Sequence, residues 1–252
     1  MPAPVADEGV VLRRRNYQEA DRILVILTRD HGKVSCLARG VRRPRARNAA
    51  GLDLLGRAKL LLIPGRSLYV LAQARPVGAA GRGDDPVRLA CAALFAEAAD
   101  GLLEEGHPDP TLFELVGEHA ERLLDIGRRP RPELVLALFR LAAEVGYLPA
   151  LERCMGCDRP LEDGAGSFIP ELGGVVQPPC PVPGGVSCEA ATIRVLRTLA
   201  RGDYEVGRRL RWSPQLLSET EAVLVAHLRH RLDRRLLAAD VLAQLVDAGS
   251  GQ

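Results

Sequence analysis

Along the first 78 residues the apolar positions come in short runs broken by turn-forming residues. Gly9 to Arg15 (GVVLRRR) reads as a strand followed by a loop at Asn16 to Asp21, and Arg22 to Arg29 (RILVILTR) is rich in branched side chains that favour extended backbone. Asp30-His31-Gly32 marks a tight turn into a third strand, Lys33 to Gly40. Residues 58–63 (AKLLLI) and 68–74 (SLYVLAQ) supply two more, with Pro64-Gly65 opening the turn between them. Five short strands with this punctuation predict a small barrel rather than a βαβ unit.

The periodicity changes after a glycine-rich linker, Gly78 to Pro86. Asp85-Pro86 and Asp109-Pro110 pair a capping side chain with a proline in the first helical turn. They predict helices from Pro86 to about Glu105 and from Pro110 to just before Gly127. A third helix runs from Pro132 to near Gly146, and others span 189–201, 214–233 and 238–247. Apolar stripes (Leu89, Ala93, Phe95; Leu112, Leu115, Leu123; Leu134, Leu138, Leu141) fit a packed bundle. Residues 152–187 read instead as a glycine- and proline-rich loop module, too long to lie unstructured inside a compact domain unless something ties it down. The fold expected is a multidomain α+β chain: a β-barrel domain over 1–78, then a helical domain over 79–252 into which a cysteine module at about 152–187 is inserted.

Charge sharpens this division. Residues 1–75 hold 15 basic against 6 acidic side chains, residues 76–186 hold 9 against 18, and residues 187–252 hold 10 against 8, so a net charge of +2 conceals opposite halves. Different parts of the chain are therefore expected to face different partners. The basic surplus concentrates in Arg39-Gly-Val-Arg-Arg-Pro-Arg-Ala-Arg47, five arginines in nine residues without an acid. Mutual repulsion makes such a cluster costly unless an anion neutralises it, and phosphate is the obvious one. Arg13 and Arg15 share one face of their strand and extend the candidate groove. Only Tyr17 and Tyr69 are aromatic in residues 1–78, which argues against a platform of rings stacking successive bases. The grip expected is electrostatic, weakly sequence-selective and tolerant of single and double strands.

No window approaches about eighteen consecutive apolar residues, and Met1 to Gly9 carries Asp7 and Glu8 without an apolar core. Neither a membrane span nor a signal peptide is expected, and the chain reads as cytoplasmic. In that reducing compartment its six cysteines do not suggest a disulfide framework. Cys36 and Cys91 read as core thiols, whereas Cys154-x2-Cys157, Cys180 and Cys188 raise a metal question. Gln177-Pro-Pro-Cys180 looks like a second CxxC whose first thiolate has been replaced. Three outcomes stay open: a zinc site completed by Cys188, a weaker three-thiolate site, or no metal. His227 and His230, three apart on a predicted helix, lack a nearby partner and read as surface or interface groups. Neither a P-loop, a GxGxxG fingerprint nor an HExxH zinc motif is present, so no covalent chemistry is expected.

Gly9-Val-Val-Leu, Glu19-Ala-Asp-Arg22, Leu27-Thr followed by Gly32-Lys33, and Ala38-Arg-Gly-Val-Arg-Arg-Pro44 together resemble the RecO family of recombination mediators. Residues 141–157 (LAAEVGYLPALERCMGC) and Gly173-Gly174 ahead of Cys180 resemble that family's junction between helices and zinc module. The resemblance implies an N-terminal OB-fold, a central helical domain and a zinc-ribbon-like module. It implies binding to single- and double-stranded DNA, strand annealing, and help in loading the recombinase onto strands covered by single-stranded-DNA-binding protein, often with RecR. Lys33, Arg39, Arg42 and Arg43 fall in the DNA-contacting region by this carry-over, with Arg45 and Arg47 completing the basic run. Cys154, Cys157 and Cys180 fall on family cysteine positions and Gln177 on another, which leaves zinc open. The helical domain is expected to hold the acidic tail of single-stranded-DNA-binding protein, with arginines among Arg122, Arg128, Arg129, Arg131 and Arg140 offsetting its acidic charge. Two rival readings are a zinc-dependent nucleic-acid-processing enzyme, which would need acids or histidines beside the basic run, and a protein-only adaptor.

Overall fold

A computed structural model describes residues 3–43, 51–78, 85–181 and 184–250. Five strands, β1 (Val5–Tyr17), β2 (Asp21–Thr28), β3 (Gly32–Ala38), β4 (Arg57–Ile63) and β5 (Tyr69–Pro76), close into a barrel in the order β1-β2-β3-β5-β4. All neighbours are antiparallel except β3 and β5, which meet in parallel at Cys36–Tyr69 and Leu37–Val70. This is the OB-like barrel expected of the sequence. Its interior is filled by Val11, Leu24, Ile26, Val34, Cys36, Leu60, Leu62 and Leu71.

β1 runs two residues further than expected, to Tyr17, and the pairing slips between Val11 and Arg13. A bulge adds one residue to one strand and bends it. Val11 faces the barrel while Val10 and Leu12 join the apolar core that α1 builds beneath it, and the slip at Leu12 leaves the next residue, Arg13, on that same side, where it pairs with Asp100 of α1.

The helical part contains α1 (Pro86–Leu102), α2 (Pro110–Leu124), α3 (Pro130–Glu144), α4 (Ala190–Ala200), α5 (Tyr204–Arg209), α6 (Pro214–Leu232) and α7 (Leu237–Ser250). The Asp85, Asp109 and Ser213 side chains accept backbone N–H bonds at the starts of α1, α2 and α6. α3 begins at Pro130 rather than Pro132, and the six-residue α5 was not anticipated. The expected stripe on α1 is displaced: Leu89 is half exposed, while Cys91, Leu94, Phe95 and Ala98 are buried. The helix is alanine-rich, so several of its faces can pack closely. Between α3 and α4 the cysteine module is ordered by a three-stranded sheet, β6 (Gly166–Ile169), β7 (Gly174–Val176) and β8 (Val186–Cys188), in the order β7-β6-β8. Phe168 of β6 meets His227 of α6 edge to face at 5.6 Å. His227 is fully buried, its Nε2 2.8 Å from the Tyr147 carbonyl oxygen, so it ties the module to the bundle instead of facing solvent. Among the described residues, no helix is long and apolar enough to cross a membrane.

Barrel and helices are joined at the start of β3. Gly32 adopts a left-handed φ of 67°, and a Cβ there would lie 2.4 Å from the His107 backbone, so the approach requires glycine. The next residue is bracketed from both sides: Gly106 N–H donates to the Lys33 carbonyl, and Lys33 Nζ donates to the Asp100 carbonyl of α1.

Candidate nucleic-acid interface and cysteine centre

The basic run begins where β3 ends. Val41 anchors the turn by inserting into the barrel core at 6% exposure, and Gly40 takes a φ of 65°. The turn is fastened to the β1–β2 hairpin. Gly40 N–H donates to Asp21 Oδ1 (2.8 Å), Arg42 N–H to the Ala20 carbonyl (3.0 Å) and Arg42 Nη1 to the Gln18 carbonyl (3.3 Å). Arg39, Arg42 and Arg43 are thereby held exposed. Arg39 and Arg43 line an open cleft of about 500 Å³ with Gln18, Glu19, Ala20, Asp21 and Gly40. Among the described residues no carboxylate forms an ion pair with Arg39, Arg42 or Arg43. Arg45 and Arg47 lie outside the described residues.

The other basic candidates divide. Arg15 is exposed opposite Ile23 of β2, on the stretch of β1 leading to the same hairpin. Arg13 is largely exposed but its Nε pairs with Asp100 Oδ2 at 3.1 Å, and Arg14 pairs with Asp53 at 2.6 Å. Lys33 is not brought to this surface at all: its side chain is 9% exposed and its Nζ lies 3.4 Å from Asp100 Oδ1. Burial beside a carboxylate makes it a joint between barrel and α1. Sequence reasoning passed over Arg22, which stands opposite Asn16 on one side and Ala38 on the other, beside the start of the basic run. Only the strand register carries that signal.

The second site lies in the inserted module. Cys154 begins a turn closed by Asp158 N–H to the Cys154 carbonyl (2.8 Å), and a second turn is closed by Cys180 N–H to the Gln177 carbonyl (3.1 Å). The two turns bring the sulfurs of Cys154, Cys157 and Cys180 within 4.8 Å of one another. Thiolates held about 2.3 Å from a shared tetrahedral ion lie roughly 3.8 Å apart, so a small contraction would suffice to hold one. Gly156 makes the approach feasible, since a Cβ there would lie 3.0 and 3.2 Å from the Cys180 Cβ and Sγ. Burial pushes the Cys154 thiol up, but N–H donors from Gln177 and Gly156 and a bond from Cys157 outweigh it and bring the thiol to about 7. These three cysteines could hold a metal ion.

Cys188 does not join them. It is fully buried at the end of β8, donates to the Val186 carbonyl at 3.2 Å, and burial pushes its thiol up to about 11. Of the three outcomes the sequence leaves open, completion of the set by Cys188 is the one the described residues do not assemble, because β6 lies between β8 and β7. Gln177, which reads in sequence as a replaced thiolate, spends its amide on the neighbouring loop: Oε1 accepts Glu162 N–H at 2.9 Å, and Nε2 donates to the Gly164 carbonyl at 2.9 Å.

Comparison with known proteins covers nearly the whole chain. Residues 1–80 match the family model described as Recombination protein O N terminal, and residues 83–239 match Recombination protein O C terminal. A Symbiobacterium thermophilum protein named DNA repair protein RecO is 34% identical over 246 residues, covering 96% of this chain and 97% of the relative. A Moorella thermoacetica protein of the same name is 34% identical, covering 94% and 89%. One from Cutibacterium acnes is 37% identical, covering 94% and 97%.

Proposed function

The chain belongs to the RecO family of DNA repair proteins, and from that premise we propose that it binds single- and double-stranded DNA through the barrel, anneals complementary strands and helps load recombinase onto strands covered by single-stranded-DNA-binding protein. One observation carries the reading: Arg39, Arg42 and Arg43 are exposed on a turn fastened to the β1–β2 hairpin, and among the described residues no carboxylate pairs with them. A cationic turn fixed in this way can neutralise phosphates without spending free energy on ordering its own backbone. Arg15 and Arg22 extend the same surface along the hairpin, and Arg45 and Arg47 continue it in sequence. Lys33 serves this site as a positioning residue, fixing β3 against α1.

Annealing by this route needs no catalytic residue. Charge neutralisation lets two strands approach, and base pairing supplies the driving free energy. The chain acts as a mediator, not an enzyme, at chromosomal DNA in the cytoplasm, together with RecR where a cell supplies it. Zinc, held by Cys154, Cys157 and Cys180, would contribute only the stability of the module. The contact to single-stranded-DNA-binding protein is assigned to the groove between α1, α3, α6 and α7. Leu94, Leu138, Val225 and Leu242 make its apolar floor, and Arg131 and Arg229 flank it. These arginines already pair with Glu221 and Asp240, so an acidic tail would be held mainly through its apolar end.

The test is annealing of complementary oligonucleotides coated with single-stranded-DNA-binding protein, without nucleotide. Accelerated pairing, lost on replacing Arg39, Arg42 and Arg43, is expected. No acceleration by the intact chain overturns the proposal.

A further inference from the structure

We propose that Cys154, Cys157 and Cys180 form a three-thiolate metal centre whose fourth coordination position is open to an exchangeable small ligand from solution, water or a low-molecular-weight thiol. This rests on the reading that the cluster binds zinc, and adds what this chain's own residues do to the site.

The ligand count follows from the surroundings. No fourth His, Cys, Asp or Glu joins the three sulfurs among the described residues. Gln177, nearest in sequence to a fourth ligand, is 7% exposed and spends its amide on the loop at Glu162 and Gly164. For its Oε1 to reach a metal, three hydrogen bonds would have to break. Cys188 is out of reach for a topological reason: β6 pairs with β7 through Ser167–Val176 and with β8 through Gly166–Cys188. Cys188 is thus two strand spacings from the edge where Gln177 sits, roughly 9–10 Å at sheet spacing. The sheet would have to come apart to deliver its sulfur.

The open side follows from exposure. Cys154 is buried, but Cys157 is exposed and Cys180 half exposed, so the cluster has a solvent-facing side. A tetrahedral ion with three protein ligands there keeps one position for an outside donor, unlike a closed structural site. The chemistry is ligand exchange alone. Thiol protons leave to solvent as sulfur–metal bonds form, and no electron moves.

Cobalt(II), a coloured stand-in for zinc, tests this on the full metal-free chain in a phosphine reductant. One equivalent is expected to bind, with thiolate-to-metal absorption roughly three-quarters that of Gln177→Cys, which supplies the missing sulfur. Adding 2-mercaptoethanol is expected to raise that absorption in the wild-type chain and leave Gln177→Cys unchanged. Cys188→Ser is expected to match the wild type throughout. A wild-type spectrum insensitive to thiol, or one that weakens in Cys188→Ser, overturns the open position while keeping the metal. Absence of cobalt binding by the wild-type chain, whatever Gln177→Cys does, overturns the metal reading itself. The thiol titration of the wild-type chain decides the question even if Gln177→Cys misfolds.

Discussion

Replacing Lys33 by methionine separates its two readings, a DNA contact or a joint in the fold. Methionine keeps most of the apolar stem and removes the ammonium, so packing against α1 changes little. What changes is electrostatic. Lys33 Nζ donates to the Asp100 carbonyl at 2.5 Å and lies 3.4 Å from the Asp100 carboxylate, both side chains being less than a tenth exposed. Removing one partner of a buried pair costs about 3–5 kcal/mol when the remaining charge has no other partner. Asp100 retains Arg13 at 3.1 Å, itself largely exposed, so only part of that cost applies. A loss of about 2–3 kcal/mol is expected, read from the urea midpoint at constant slope. Adding Asp100→Asn removes the stranded charge and should restore at least half of it, an interaction energy that only contacting residues show.

Single-stranded DNA binding by the folded Lys33→Met protein should change less than about threefold, and its salt dependence should keep its slope, because no phosphate contact is lost. The reasoning is refuted by the converse pattern. Unchanged unfolding, with a salt slope shallower by about 0.7, would make Lys33 a phosphate contact.

Replacing Arg42, Arg43 and Arg45 together by alanine should weaken binding equally on all sequences and flatten the salt slope by about 2; unchanged affinity would remove the basic run from the interface. Gly156→Ala places a methyl 3.0 Å from the Cys180 Cβ and should weaken cobalt binding about tenfold, and equal affinity would show that the turn can relax. His119 is buried, neither of its nitrogens has a hydrogen-bond partner among the described residues, and burial drives it from 6.5 down to about 4. Its neutral form therefore contributes stability that is complete above pH 6.5 and is lost as pH falls toward 4, by up to about 1.4 kcal/mol per pH unit. His119→Leu should flatten the fall in melting temperature over that window, and an identical fall would show that other groups dominate it. Ala222 is exposed on the rim of the groove between α6 and α7, so Ala222→Trp should lower affinity about tenfold for a labelled tail peptide of single-stranded-DNA-binding protein; full retention would place that contact elsewhere.

The barrel was legible because its strands carry branched apolar side chains that must alternate or pack, and turn residues that end each run. The signal fails where those conditions lapse. From Arg13 to Tyr17 every residue of β1 is exposed, so no apolar alternation marks the strand, and only its partner β2 reveals it. The sheet of the cysteine module fails for a different reason: strands of three or four residues are too short to show a period. At the sites, residue types were legible and their partners were not. A lysine at the end of a turn reads the same whether it meets a phosphate or an aspartate, and Asp100 lies 67 residues away. Cys188 shows most clearly what linear spacing hides. Eight residues beyond Cys180, it lies near enough in sequence to complete a metal site, and the chain between could span the gap. It is removed by strand order alone, because β8 adds to the far edge of β6. The engagement of Gln177 fits that topology. With Cys188 on the far side, the Gln177 amide ties the Glu162–Gly164 loop beside the edge strand through three hydrogen bonds, so the residue that follows β7 serves the loop while the three sulfurs of Cys154, Cys157 and Cys180 gather on the two turns.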